Sequence, residues 1–154
     1  EALSETRFGL TKVSQGTKIT LPHGGELLIE YPLTFLSAEA SDTNEGSIVA
    51  RFLYGETSFL LTGDLPHEET VLPDEEPVTI LKAAHHGSKY STSEAFLDLV
   101  QPKEAVISVG KNSYGHPDSS VLERLWKRGI IVHRTDEEGA LRYECLENVC
   151  NFAP

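Results

Sequence analysis

The sequence contains no methionine, one tryptophan, two cysteines and only 13 basic residues in 154. Two cysteines are too few for a disulfide framework, and no further thiols or close histidines complete a structural zinc site around them. Cys145 and Cys150 stand close together, and the sequence leaves both a pair and two free thiols open. No apolar run approaches the ~20 residues of a membrane-spanning helix. The basic residues face 24 acidic ones, for a net charge of −11. That balance excludes broad, salt-dependent gripping of a nucleic-acid backbone, so a phosphate-bearing substrate needs local positive charge such as metal ions. The opening EALSETRFGL has neither the basic nor the apolar region of a signal peptide. Together with the missing methionine, this gives the expectation that the chain is cut from something longer. What is present, 39% hydrophobic residues over 154, suffices for one globular domain with a real core.

Turn residues and period-2 alternation set out the strands. Residues 1 to about 11 show no clear period. Lys12–Thr20 and Glu26–Tyr31 flank the turn His23-Gly24-Gly25 and read as a β-hairpin, with His23 a turn residue. Ser37–Gly46 is an acidic loop. Its Asp42, Asn44 and Glu45 are oxygen donors without the twelve-residue calcium-loop pattern. Ile48–Tyr54, Gly55-Glu56 and Thr57–Leu61 read as a second hairpin, ending in Thr62-Gly63-Asp64.

A short helix is expected from Pro66 to Leu72, which Asp64 could cap. After an acidic loop bounded by Pro73 and Pro77, a buried strand delivers His85-His86-Gly87-Ser88. A helix follows, with Ser91 and Glu94 as a capping box and Pro102 as its stop. Glu104–Val109 reads as a strand and leaves through Gly110-Lys-Asn-Ser-Tyr-Gly-His-Pro117. Asp118 caps a helix with Val121, Leu122, Leu125 and a core Trp126 on one side. Ile130–Arg134 and Ala140–Cys145 are expected to pair as a last hairpin, with His133 a structural or exposed strand residue. The elements amount to a layered α/β fold with mixed pairing.

Three strands therefore end in polar, glycine-containing loops that carry Asp64, His85, His86 and His116. A charged carboxylate directly behind a buried strand is costly unless something pairs with it. Aspartate and imidazole donors suit zinc, manganese or iron. One aspartate can bridge two cations ~3.5–4 Å apart, and such a pair can generate a hydroxide nucleophile and clamp a phosphate. Ser88, Asn112 and Tyr114 are of the type that holds phosphate oxygens or supports metal ligands.

In order along the chain, Asn44…Ser47, Tyr54-Gly55, Phe59-Leu-Leu-Thr-Gly-Asp64, Leu81-Lys82…His85-His-Gly-Ser88, Ser108-Val-Gly110, Asn112-Ser-Tyr-Gly-His-Pro117 and Arg134-Thr-Asp136 closely resemble the metallo-β-lactamase-like domain of ComEC-type DNA-uptake channel proteins. The resemblance runs from about Gly16 to Tyr143. It implies a four-layer αββα sandwich with a dinuclear site of zinc or manganese at one edge. It further implies that Asp64 is the bridging carboxylate and His86 a metal ligand. His85 would face the substrate, with Ser88, His116 and Asn112 beside it.

The superfamily's principal ligand motif, His-x-His-x-Asp-His, occurs nowhere in these 154 residues. The chain is thus expected to cover about the C-terminal half of the domain, to carry half a site, to be inactive alone and to need the N-terminal half as a partner. By the same resemblance the complete domain is a phosphodiesterase or nuclease acting on single-stranded DNA beside a membrane channel, outside the cytoplasm. A non-catalytic DNA- or channel-binding domain and a small-molecule phosphodiesterase are the alternatives.

Overall fold

A computed structural model describes residues 12–33, 44–72 and 76–154. The stretch 1–11, residues 37–43 of the acidic loop and residues 73–75 of the proline-bounded loop lie outside the described residues. Lys18–Thr20 (β1) pairs antiparallel with Glu26–Tyr31 (β2), as the turn between them predicts. Val49–Tyr54 (β3) and Thr57–Leu61 (β4) form the second hairpin, closed at Tyr54 and Thr57, and β3 also pairs antiparallel with β2. β-Branched and aromatic residues in these runs suit a pleated, half-buried surface.

From β4 onward the pairing becomes parallel, through Ile80–Lys82 (β5), Glu104–Ile107 (β6) and Ile131–Arg134 (β7). Parallel neighbours require crossovers. Glu68–Val71 (α1), Glu94–Val100 (α2) and Ser119–Lys127 (α3) lie in them, so the seven strands stand in the sheet in chain order. After a one-turn helix, Thr135–Glu138 (α4), Arg142–Leu146 (β8) and Val149–Ala153 (β9) make a separate two-stranded sheet.

The register divides the large sheet into two faces. On one, Leu60, Leu81 and Ala105 are neighbours in a row, each fully buried. They form one core with Phe96, Leu97 and Val100 of α2 and Val121, Leu122 and Leu125 of α3. On the other face a single row crosses the whole sheet: Ile19, Leu27, Phe52, Phe59, Ile80, Glu104, Ile131. The β8–β9 hairpin lies over the later part of this face. Tyr143 meets Phe59 edge-on at 5.3 Å and donates its hydroxyl to Glu104 at 2.8 Å, and Phe152 stacks on His133 at 3.9 Å.

Several local expectations are corrected. β7 pairs with β6 rather than with the segment after it, and β8 takes β9 as its partner. β7 takes the edge of the parallel sheet, where Ile130 just before it is buried and Val132 packs against the core while Ile131 stays 56% exposed. Cys145 and Cys150 are directly opposed in β8–β9 and form a disulfide. Ser93, not Ser91, caps α2 by accepting the amide of Phe96, while Ser91 is buried and donates to the carbonyls of Ala84 and Ser88. Trp126 is 62% exposed rather than core. At 3.6 residues per turn it stands about 100° round the helix from Leu125, outside the apolar stripe. Asp64 does not cap α1, whose N-cap position is His67. Asp118 does cap α3, accepting the amide of Ser120 at 2.9 Å, and the Ser120 hydroxyl, donating at 2.6 Å, followed by that amide holds its carboxyl below the usual range.

Candidate metal and substrate site

The exits of the parallel strands β4, β5 and β6 all point to the same sheet edge, the place where open α/β sheets hold ligands. Asp64 leaves β4 after two residues that fix its direction. Thr62 donates its hydroxyl to the Lys82 carbonyl at 2.6 Å, and the Asp64 amide donates to the Ser47 hydroxyl at 3.0 Å. Gly63 between them has φ +58°, and a Cβ there would stand 2.9 Å from the Ser47 Cβ. Both the conformation and the space require glycine.

β5 exits into a one-turn 3-10 segment, Ala84–Gly87. His85 and His86 sit there with φ of +47° and +56°. Left-handed backbone at two consecutive non-glycine residues is costly, and such strain gathers at functional sites. Gly87, at φ +78°, brings the turn against Pro117: a Cβ at Gly87 would come within 2.8 Å of the Pro117 Cβ. The Gly87 carbonyl accepts the Asp118 amide at 2.9 Å, so the exits of β5 and β6 are tied together.

The His86 ring has a defined orientation. Its Nδ1 lies 2.7 Å from the Ser108 carbonyl, which can only accept, so Nδ1 carries a proton and in the neutral ring Nε2 presents its lone pair. That Nε2 faces Asp64 Oδ2 at 3.9 Å. A backbone carbonyl behind the ring and a bare nitrogen in front is the arrangement of a metal-ligating histidine. The other Asp64 oxygen, Oδ1, has Lys82 Nζ at 3.9 Å, and that ammonium donates to the Gly63 carbonyl at 2.7 Å. Burial pushes the Lys82 pKa down, against the pull of Asp64 and Glu68.

The other candidates gather at the same edge in different ways. The rings of His85 and His116 are 5.6 Å apart, and His85 is 6.2 Å from His86. Burial, then the neighbouring His85 and His86, hold the His116 pKa below the usual imidazole value, and its buried Nδ1 has no hydrogen-bond partner. Asn112 organises the loop. Its Nδ2 donates to the carbonyls of Gly110 and His116, and its Oδ1 accepts the amides of Tyr114 and His116. Ser88 is buried, with its hydroxyl directed to the Tyr90 amide. Ser88 therefore holds backbone from a buried position, and Asn112 holds the backbone of its loop from an exposed one.

Lys82, Ser108 and Thr135 lie in runs that carry the resemblance, but sequence reasoning gave them no role at the site. Thr135 bonds Val109 twice, donating to its carbonyl at 2.7 Å and accepting its amide at 2.8 Å. Polar atoms at a strand exit were the available signal for Ser108. Nothing local shows that Thr135 meets Val109, 26 residues before it.

Asp64 and His86 fit part of a metal centre. Two bonds of ~2.0–2.2 Å at the tetrahedral angle set their donors ~3.3–3.6 Å apart, so the 3.9 Å gap has to close by a few tenths of an ångström for both to hold one ion. A complete site takes at least three protein donors. Among the described residues no group of three or more His, Cys, Asp or Glu side chains stands close enough to hold an ion. The donors described do not amount to a whole site.

A sequence model of the metallo-β-lactamase superfamily matches residues 36–111, the span that carries Asp64 and the histidine doublet. With the mixed sheet and its loaded edge, this match gives the chain the fold of a metallo-β-lactamase superfamily domain, and that superfamily generally binds divalent metals. Its similarity to particular proteins is consistent with the competence family: it is 39% identical over 150 residues to ComE operon protein 3 of Bacillus subtilis, covering 90% of this chain and 19% of that protein. It is 39% identical over 108 residues to competence protein ComA of Neisseria gonorrhoeae, covering 66% of this chain and 16% of that protein. It is also 40% identical over 97 residues to recombination protein 2 of Haemophilus influenzae, covering 61% of this chain and 12% of that protein. The chain spans less than a fifth of the length of each of these relatives. Among the described residues no helix is long and apolar enough to cross a membrane.

Proposed function

We propose that the chain is the C-terminal part of a metal-dependent phosphodiesterase domain that acts on single-stranded DNA during uptake. The observation that carries this reading is the pairing of Asp64 with the bare Nε2 of His86 at the edge where β4, β5 and β6 end. The remaining ligands would come from the N-terminal half of the same domain, bearing the His-x-His-x-Asp-His motif absent here. In the complete domain two divalent ions, zinc or manganese, would supply the positive charge and the activation of water. The residues of this chain hold and orient. Asp64 and His86 offer donors, the Ser108 carbonyl fixes the His86 tautomer, and Gly63 and Gly87 let the two turns approach. His85 and His116 flank the donors on the side where a phosphodiester would lie.

The half-domain reading is further supported by the far sheet face, where Ile19 and Leu61 are each 40% exposed. The partner layer of an αββα sandwich would cover them. The Cys145–Cys150 disulfide supports placement in an oxidising compartment, as expected of a domain outside the cytoplasm beside a membrane channel.

The test uses a protein containing the complete domain. Asp64→Ala is expected to abolish hydrolysis of single-stranded DNA while leaving thermal unfolding nearly unchanged, because the carboxylate is 40% exposed. Undiminished hydrolysis in that variant overturns the reading. Metal analysis of the present chain after loading is expected to give at most one weakly held ion. Two tightly held ions per chain would show that no other half is needed. The lack of a three-donor cluster among the described residues favours a second reading, a non-catalytic DNA- or channel-binding domain. DNA binding by the complete domain without any metal-dependent hydrolysis would select it. Cleavage of simple phosphodiesters but not DNA would point to a small-molecule enzyme.

A further inference from the structure

Tyr114 is 83% exposed, the most open large side chain among the exposed hydrophobics of the described residues. It sits beside the candidate site and yet is not loosely held. Both the Tyr114 amide and the His116 amide donate to Asn112 Oδ1, and Asn112 Nδ2 closes the loop on the carbonyls of Gly110 and His116. Four hydrogen bonds from one side chain fix the backbone on both sides of the tyrosine. The Tyr114 ring lies nearly parallel to that of His116, with 22° between planes and 6.1 Å between centroids. A cavity of about 210 Å³ opens there, with His86, Lys111, Asn112, Tyr114 and His116 in its wall.

The charge of this cavity separates it from the larger one. A space of about 550 Å³ lies elsewhere, beside Glu30, Glu56 and Glu76, with Arg51 already ion-paired to Glu30 at 3.2 Å. Carboxylates repel a phosphate-bearing ligand, and this surface does not suit one. No acidic residue lines the smaller cavity, and Lys111 contributes a cation. On a chain of net charge −11 such a spot is uncommon. A pre-positioned aromatic face next to a cation and a histidine cluster is the combination by which proteins hold single-stranded nucleic acid, the ring stacking on a base and the cation meeting the backbone.

We propose that Tyr114 is a stacking platform for a nucleobase, and that this contact makes base-bearing phosphodiesters the substrate class of the edge. The proposal rests on the reading that phosphodiesters bind at this edge, and it adds the specificity-determining residue. Pre-organisation by Asn112 lowers the ordering cost of the contact. Discrimination then comes from the base and not from the phosphate.

The test measures binding to the present chain by fluorescence anisotropy, using a labelled oligothymidylate and an abasic oligonucleotide of the same length. Base stacking of ~1–3 kcal/mol corresponds to roughly 5- to 150-fold in affinity. Tyr114→Ala is expected to weaken oligothymidylate binding by that factor and to change abasic binding less than about twofold. Tyr114→Phe, which keeps the ring, is expected to restore the preference. Equal loss on both ligands, no loss on either, no measurable preference in the unsubstituted chain, or failure of Tyr114→Phe to restore it overturns the proposal. Hydrolysis by the complete domain is measured separately. Hydrolysis of DNA without a Tyr114-dependent base preference removes the platform and leaves the enzyme, and a base preference without hydrolysis does the reverse.

Discussion

The two faces of the seven-stranded sheet differ in how they are covered. On the helix side Leu60, Leu81 and Ala105 are fully buried beneath α2 and α3. On the other side the β8–β9 hairpin covers Phe59, Glu104 and His133, while Ile19 and Leu61 remain 40% exposed. One face is a closed core, and the other is only partly covered, as the proposed second half of the domain requires. The difference bears on the site as well. Asp64 and Lys82 follow or belong to strands whose far face is partly open, and the missing donors of the edge are expected from whatever layer completes that face.

The helix-covered face is the place to look for the largest loss. Phe96 is fully buried in its core, and Phe96→Ala is expected to cost about 3–5 kcal/mol in urea unfolding of the chain. A loss below about 1 kcal/mol would show that α2 is not packed as described, and the contrast between the faces would vanish.

A somewhat smaller effect is expected from a buried charge at the edge of the same layer. Glu68 of α1 is fully buried, and both of its oxygens accept the Thr92 amide at 3.0 Å. Burial pushes its pKa from the ordinary 4.5 up to about 7, with the neighbouring Glu69 adding to the rise. The Thr92 amide and Arg124 oppose it. The folded chain therefore keeps a proton that the unfolded chain has released. Stability from this group is fully present below about pH 4.5 and falls as pH rises to about 7, by an amount on the order of 3 kcal/mol. Glu68→Gln, neutral throughout, is expected to flatten that part of the stability profile. A profile that keeps its slope in the variant assigns the dependence to other groups.

Much of this architecture was legible locally. Both early hairpins, the three loaded strand exits and the Asp118 cap follow from alternation, turn glycines and side-chain oxygens standing next to the elements they serve. The orientation of the His86 ring was not legible, since the doublet names two candidate ligands and the Ser108 carbonyl that holds the second lies 22 residues away. What failed was partner choice. Ile130–Arg134 reads as a strand but does not say which strand it joins, and the contact with β6 is made across α3. The β8–β9 turn had a signal in Asn148, which takes a positive φ of 68° together with Glu147, but the alternation of Tyr143 and Cys145 with Cys150 and Phe152 was not used. Ser91, Thr92 and Ser93 offered three successive hydroxyls before α2, and only tertiary contacts show that the first is buried. The burial of Glu68 has no local sign at all, because its partners Thr92 and Arg124 lie 24 and 56 residues further on.

The smallest effect tests the open face most directly. Ile19 ends the row that crosses the sheet, stands opposite Leu27 and is 40% exposed. Ile19→Thr keeps β-branching and strand propensity, so it changes chiefly the apolar surface. In the present chain, with much of that surface already in water, the expected loss is about 1 kcal/mol or less. In a protein containing the whole domain the same side chain would lie beneath the second sheet. Full burial of an isoleucine is worth about 1.5–3 kcal/mol, so the substitution is expected to cost roughly twice as much there. Matched urea unfolding of the two proteins, each with and without the substitution, gives the comparison. An equally small loss in both would mean that nothing covers the row, and the sheet would then be open on that side in the working protein. A larger loss in the longer protein alone would identify the row as the interface that joins the two halves and brings their donors to one edge.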